Sequence, residues 1–305
     1  MSKNLKTNEK VEYTGRYLVL LPEDSNTTDS INEISAVSGL NLKSSLEFEN
    51  EFFTAKDFDG TDGIILDKIG VAILSKKPEI DISVAAFGDK QVIVEPERVV
   101  HAIHTMVDET TQKYVEGYRD AVNQLSEMLV GNDGKEESLY EYGDSEIESI
   151  GSTWGLKATN VTPTTFLRYC PYNGSGIKVA ILDTGFDFTH PDFVGRPITH
   201  RSFITGETTQ DGHGHGTHCT GTSCGPLSPA PAIERYGIAY GAQIYIGKVL
   251  SNAGSGADGG ILAGINWAIA NGCSIISMSL GASTTGVAIP PFTKLLQHED
   301  WHWEL

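Results

Sequence analysis

Positive charge is scarce in this chain. Its 305 residues hold 22 Lys and Arg against 40 Asp and Glu, a formal net charge of -18. Phosphate backbones are bound through basic side chains, so this balance argues against nucleic acid as a partner. Long apolar runs are missing too. No window of about 18 apolar residues occurs, so neither a membrane-spanning helix nor a membrane partner is expected. Cysteine is sparse and lacks the dense spacing of a disulfide framework: Cys170, Cys219, Cys224 and Cys273. Free thiols are the expected state, although Cys219 and Cys224 could close a small loop in an exported protein. The start, Met1 to Lys6, is basic but has no apolar core or small-residue cleavage site, so it does not read as a secretory signal. The compartment is left unassigned, cytoplasmic by default, with export by another route open.

What remains is an ordinary globular composition, 39% apolar and 20% charged, long enough for one or two domains. The charge is unevenly placed. Net charge is -16 over residues 1–150 and -2 over 151–305, which suggests two parts with different tasks. Residues 1–14 read as a loose leader. Residues 15–103 carry a compact α+β pattern. Arg16–Leu21 reads as a strand. Ser30 to Glu33 reads as a capping box opening a short helix with Ile31, Ile34 and Val37 inward. Gly63–Asp67 and Gly70–Leu74 read as two strands. A helix from Pro78 would turn Ile80, Val84 and Phe87 inward, with a strand as the alternative there. Gln91–Glu95 reads as a last strand, ended by Pro96. The sum is a split βαβ module.

Residues 104–150 combine an amphipathic helix, Asp108–Leu129, with an acidic linker over 131–148. From Ser152 the composition turns rich in Gly, Thr and Ile. Strands at Lys178–Leu182, Ile244–Leu250 and Ser274–Leu280, with a helix at Gly260–Ala270, give the rhythm of a parallel sheet covered on both faces. The fold class expected is therefore α/β, a parallel sheet with helices on both faces, preceded by the small α+β module.

Two segments carry the chemistry. Val179-Ala180-Ile181-Leu182-Asp183-Thr184-Gly185 is an apolar run that ends on an acid, which places Asp183 at the carboxyl end of a strand, where open sheets hold their sites. Asp211-Gly212-His213-Gly214-His215-Gly216-Thr217-His218-Cys219 sets a histidine in a glycine-rich turn. A serine hydroxyl needs a histidine to take its proton, and the histidine needs a carboxylate to fix its tautomer. Asp183 and His215 are the candidates for those roles. A metal site built from Asp211, His213, His215, His218 and Cys219 is the competing reading. It leaves Asp-Thr-Gly unexplained, and His213 and His218 fit better as supporting residues bonded to backbone.

In these residues the chain resembles the subtilisin-like serine peptidases. Asp183-Thr184-Gly185, followed by Asp187 and His190-Pro191-Asp192, resembles the family's catalytic Asp segment, and His215-Gly216-Thr217-His218 its catalytic His segment. Gly237 to Ala242 and Gly247-Lys248-Val249-Leu250 continue the likeness. Gly254-Ser255-Gly256 is similar to the edge that pairs with a bound peptide, and Ser279-Leu280-Gly281 to the edge on its other side. The resemblance implies an extended polypeptide substrate held by strand addition. Residues 15–103 resemble, more loosely, the family's inhibitory pro-domain, with Val94 to Val99 as its closing motif. The chain's own pro-domain is thus an implied partner. No cofactor is implied as required; calcium near Asp192 is left open.

The chain also departs from the family. The oxyanion-hole Asn and the Gly-Thr-Ser-Met-Ala-type segment do not occur in it. The catalytic part therefore spans 151–285, with 286–305 as an aberrant tail. Codon boundaries across Asp300 to Glu304, read one base early, give Leu, Ala, Leu, Gly whatever synonyms are used, which points to a shifted reading frame. The expectation is a serine endopeptidase by family, truncated before its serine and inactive as it stands. The alternative is a non-enzymatic product whose pro-domain binds and inhibits a full-length relative.

Overall fold

The structure is a computed structural model. It describes residues 11–22, 26–48, 60–78, 87, 92–103, 151–159, 161–162, 172–230 and 233–282. The chain divides into two compact units, Met1–Ala102 with Gly151–Leu305, and Ile103–Ile150. Apart from Ile103, the described residues belong to the first. The expected Asp108–Leu129 helix, the acidic linker, most of the helix at Pro78 and the tail from 286 lie outside the described residues.

The N-terminal part of this unit is built on β1 (Tyr13–Leu20), α1 (Thr27–Ser38), β2 (Leu42–Ser44), β3 (Gly63–Leu66), β4 (Val71–Leu74) and β5 (Ile93–Ala102). Their order in the sheet is β5-β1-β4-β3-β2. Every pairing is antiparallel except β2 with β3. Side chains alternate along a strand, and here both faces are apolar. Leu18, Leu20, Ile64, Leu66, Val71 and Ile73 face one core; Val19, Leu21, Ile65, Ala72 and Leu74 face another with Ile34 of α1 and Phe87.

Two expectations are corrected here. The first is the capping box at Ser30. The helix begins four residues earlier, where the Asn26 side chain accepts from Thr28 N at 2.8 Å. A side-chain oxygen just before the first turn satisfies N–H groups that would otherwise be orphaned. Ser30 is instead buried within the helix, its hydroxyl without a hydrogen-bond partner among the described residues. The second is the end of β5, which runs through Pro96 to Ala102. Pro96 stands opposite Tyr17, beside the point where the β1–β5 register shifts. A proline lacks one ladder donor and is tolerated at such an irregularity. New pairings then carry β5 onward: β9 (Ser255–Ala257) and β11 (Leu280–Gly281), both antiparallel to it.

The C-terminal part begins with the short helix α2 (Trp154–Ala158). Its sheet is parallel throughout, in the order β10-β6-β8-β7: β6 is Lys178–Asp183, β7 Ile198–Ser202, β8 Gln243–Lys248 and β10 Ile275–Ser277. Helices α3 (His215–Cys224) and α4 (Asp258–Ala270) complete it. On β6, Val179 and Ile181 share a core with Cys224 of α3, while Ala180 and Leu182 share one with α4. The sheet is thus covered on both faces. The strand expected over Ser274–Leu280 is two strands in different sheets, β10 beside β6 and β11 beside β5, with Ser279 just ahead of β11. No described helix is long and apolar enough to cross a membrane.

Helix α4 is apolar almost all round. Ile261, Leu262, Ala263, Ile265, Trp267 and Ala268 are all buried. Such a helix must be covered on every side, and α4 lies in one core with Leu182 and Val249 and with Leu18, Leu20, Ile64 and Ile73 from the N-terminal strands. One polar stitch accompanies the apolar contact: Lys68 N donates to Asn266 Oδ1 at 2.8 Å.

Candidate active site

Asp183 ends β6 and is 1% exposed. His215 Nδ1 lies 2.7 Å from Asp183 Oδ1, across 32 residues of sequence, with the Nδ1–H donating. A second donor, Thr184 N, reaches the same oxygen at 2.7 Å. Val249 N and Leu250 N donate to the Asp183 carbonyl at 2.9 and 3.1 Å, which fixes the strand end against the exit of β8.

The histidine was expected in a turn; it is the first residue of α3. The sequence HGTHCTGTSC has no helical apolar stripe, so its helicity comes from its neighbours. Gly216 packs on the Asp-Thr-Gly turn so closely that a Cβ would meet Gly185 O at 2.3 Å. Gly216 N donates to Thr184 Oγ1 at 2.8 Å, and that hydroxyl donates to Asp211 Oδ1 at 2.9 Å. Asp211 accepts four more bonds, from His213 N, Gly214 N, Thr217 N and Thr217 Oγ1, all at 2.7–2.9 Å. Burial pushes the Asp211 carboxyl up, but the bonds from Gly214, Thr217 and His213 outweigh it and hold the group below its ordinary value. These bonds engage both carboxylate oxygens in holding the start of α3. His218 is exposed.

A buried cation stands beside this pair. Lys248, 0% exposed, donates from Nζ to Thr184 O and, at 2.9 Å, to Asn252 Oδ1, and it pairs with Glu207 at 3.3 Å. Burial pushes its ammonium below the ordinary value; Glu207, Asp211 and Asp183 pull it back. Asn252 Oδ1 also accepts from Gly212 N at 2.9 Å, so Lys248 and the histidine turn share one amide. Sequence reading missed these supports. Asp211 was weighed only as a metal ligand, though an Asp in a glycine-rich turn four residues before the first residue of a helix is placed to bond nearby backbone N–H groups.

Among the described residues, Asp183, His215 and Cys219 form the group whose ligand atoms lie within 4.8 Å of one another. Burial, and next the Asp183 charge, push the Cys219 thiol up to about 12, with a hydrogen bond to Ser279 acting the other way. At neutral pH that sulfur is a thiol rather than the nucleophilic thiolate.

The expected peptide-binding edges are also brought together. Ser255 and Gly256 lie in β9, Leu280 and Gly281 form β11, and Ser279 precedes it. What lies between them is β5 of the same chain. His101 pairs with Ser255 on one edge and with Gly281 on the other, and Ala102 N donates to Gly254 O at 2.8 Å.

Residues 174–300 match the Subtilase family. A cuticle-degrading protease of Metarhizium anisopliae is 41% identical over 143 residues, 44% of this chain and 34% of that protein. Subtilisin E of Bacillus subtilis (strain 168) is 42% identical over 120 residues, 39% of this chain and 30% of that protein. Subtilisin-like protease 1 of Trichophyton rubrum is 39% identical over 153 residues, 47% and 29% of the two chains. The chain spans about a third of the length of the curated relatives it matches.

Proposed function

We propose, from the match of residues 174–300 to the Subtilase family, that this segment supplies the acid and base of a serine endopeptidase. Asp183 orients the imidazole and stabilises its cation. His215 takes the serine proton as base and returns it to the leaving amine as acid. The observation that carries this is the 2.7 Å contact from a buried carboxylate to His215 Nδ1, which commits that nitrogen to the carboxylate and leaves the proton-transfer role to Nε2. Substrate is an extended polypeptide added as a strand between Gly254-Ser255-Gly256 and Ser279-Leu280-Gly281. The reading calls for no cofactor. Calcium near Asp192 has little to favour it, because that carboxylate already accepts from Ala230 N at 2.8 Å and from Tyr236 Oη at 2.6 Å.

The nucleophile segment expected by family is not among the 305 residues. A polypeptide of this sequence should therefore neither hydrolyse peptides nor take a fluorophosphonate label. A chimera that continues residue 282 into the remaining part of Subtilisin E should do both, and its Asp183→Asn form should fall by roughly 10⁴-fold in kcat. Hydrolysis by the 305-residue polypeptide, or a chimera indifferent to Asp183 and His215, would overturn the assignment.

One observation favours a second reading, in which residues 15–103 are an inhibitory module. The cleft edges are already filled by β5, whose pairing mimics a bound peptide. Added to an intact relative, these residues should act as a competitive inhibitor; unaltered peptide cleavage would count against the reading.

A further inference from the structure

The junction of β5 with α4 is built by an exchange of carboxylates. Helix α4 follows Ala257, which offers no side-chain cap, and alanine is among the poorest residues there. The missing acceptor comes from 162 residues earlier: Gly259 N donates to Glu97 Oε1 at 2.9 Å. Glu97 is fully buried, and its charge is met by Arg16 at 2.6 and 2.9 Å. The return donation runs the other way. Asp258, 1% exposed, accepts from Arg98 N at 3.1 Å, Nε at 3.0 Å and Nη2 at 3.1 Å, the forked geometry that makes arginine specific for a carboxylate.

The socket has no room for a side chain at its second position. A Cβ on Gly259 would meet Glu97 Oε1 at 2.4 Å and Ile73 Cδ1 at 3.1 Å, both groups of the N-terminal strands. This glycine has an ordinary φ; nothing in the helix itself asks for it, and glycine in a helix is about 1 kcal/mol worse than alanine. Its requirement comes from what docks on it.

We propose that Asp258-Gly259 is a recognition element: residues 11–102 select catalytic segments whose helix after the peptide-binding edge opens with an acid followed by glycine. The segment it fits is residues 174–282 of the same chain, where Arg98 meets Asp258 and Glu97 meets Gly259 N. This rests on the reading of residues 15–103 as an inhibitory module. Strand pairing by β5 is indifferent to sequence, so it holds any subtilase cleft; the Arg98–Asp258 fork and the bare Gly259 restrict the choice.

Amide hydrogen exchange on the full 305-residue chain tests this. In the unsubstituted chain the Val99–Ala102 amides should be protected. Gly259→Ala, Arg98→Glu and Asp258→Arg should each speed their exchange by about tenfold or more, and more than that of Val179–Leu182 and Ile244–Gly247. The Gly259→Ala effect is diagnostic, since the change favours the helix itself. The double variant Arg98→Glu with Asp258→Arg should recover most of the protection. A double variant no better than its singles, or single variants that loosen β6 and β8 as much as β5, overturns the recognition proposal and leaves the inhibitory reading standing. An unsubstituted chain with no protection at Val99–Ala102 overturns that reading itself.

Discussion

At the scale of the residue, the Asp183–His215 pair depends on groups outside its own hydrogen bond. Asp211 gathers four N–H and O–H donors from the start of α3 in addition to the Thr184 hydroxyl. Asp211→Asn keeps the shape but turns two donors toward donors. A loss of about 2 kcal/mol is expected, measured by urea denaturation. The pH dependence has a definite sign. The folded carboxyl sits below its ordinary value of 3.8, so its contribution is present above that value and is lost as pH falls through the lower folded one. The Asn variant should lack this acid limb. Gly216→Ala is the second residue-scale test. Its methyl would meet Gly185 O at 2.3 Å, pushing the helix start off the Asp-Thr-Gly turn. The His215 Nδ1–H proton, followed by NMR, should lose the downfield resonance expected of its 2.7 Å hydrogen bond to Asp183.

At the scale of the element, α4 is the most sensitive. Ile265 is fully buried in the core that joins both sheets, and Ile265→Ala should cost about 2–5 kcal/mol in denaturant unfolding. The element pattern also shows what the sequence made legible. β6, β8 and α4 announce themselves because apolar runs with β-branched residues, or a long apolar helix, leave few alternatives. β7 does not: Ile198-Thr199-His200-Arg201-Ser202 has one large apolar residue and, among the described residues, pairs with β8 alone, so its strand state is imposed by a neighbour. α3 was hidden for the same reason, being held by Asp211 and glycine contacts rather than by its own periodicity. β5 was cut short at Pro96 because the pairings that extend it come from residues over 150 positions away. Of the site, Asp183 and His215 were visible as motifs; Lys248 and Asn252 were not, since a lone Lys at the end of a strand carries no local signal of burial.

At the scale of the whole molecule, the notable fact is that one core contains side chains from both the N-terminal strands and the parallel sheet. Leu18, Ile64 and Ile73 share it with Leu182, Val249 and Ile261. The two parts should therefore unfold together. Tryptophan fluorescence of a variant with Trp154, Trp301 and Trp303 changed to Phe, which leaves Trp267 of α4 as the reporter, and amide exchange in β1 should give the same urea midpoint. Two separated transitions would show that the shared core contributes little. The acidity of the chain bears on the same scale. With net -16 confined to residues 1–150, docking relies on local pairs such as Arg98–Asp258 rather than on attraction between oppositely charged halves.

A helix greasy on every side has no natural outside. Were the N-terminal strands to leave, α4 would turn from filling to skin, and water would have to wet Ile261 and its neighbours. Thermal wobble alone will seldom achieve that separation; a severed backbone, with dilution to carry the freed piece away, is the kind of event that can.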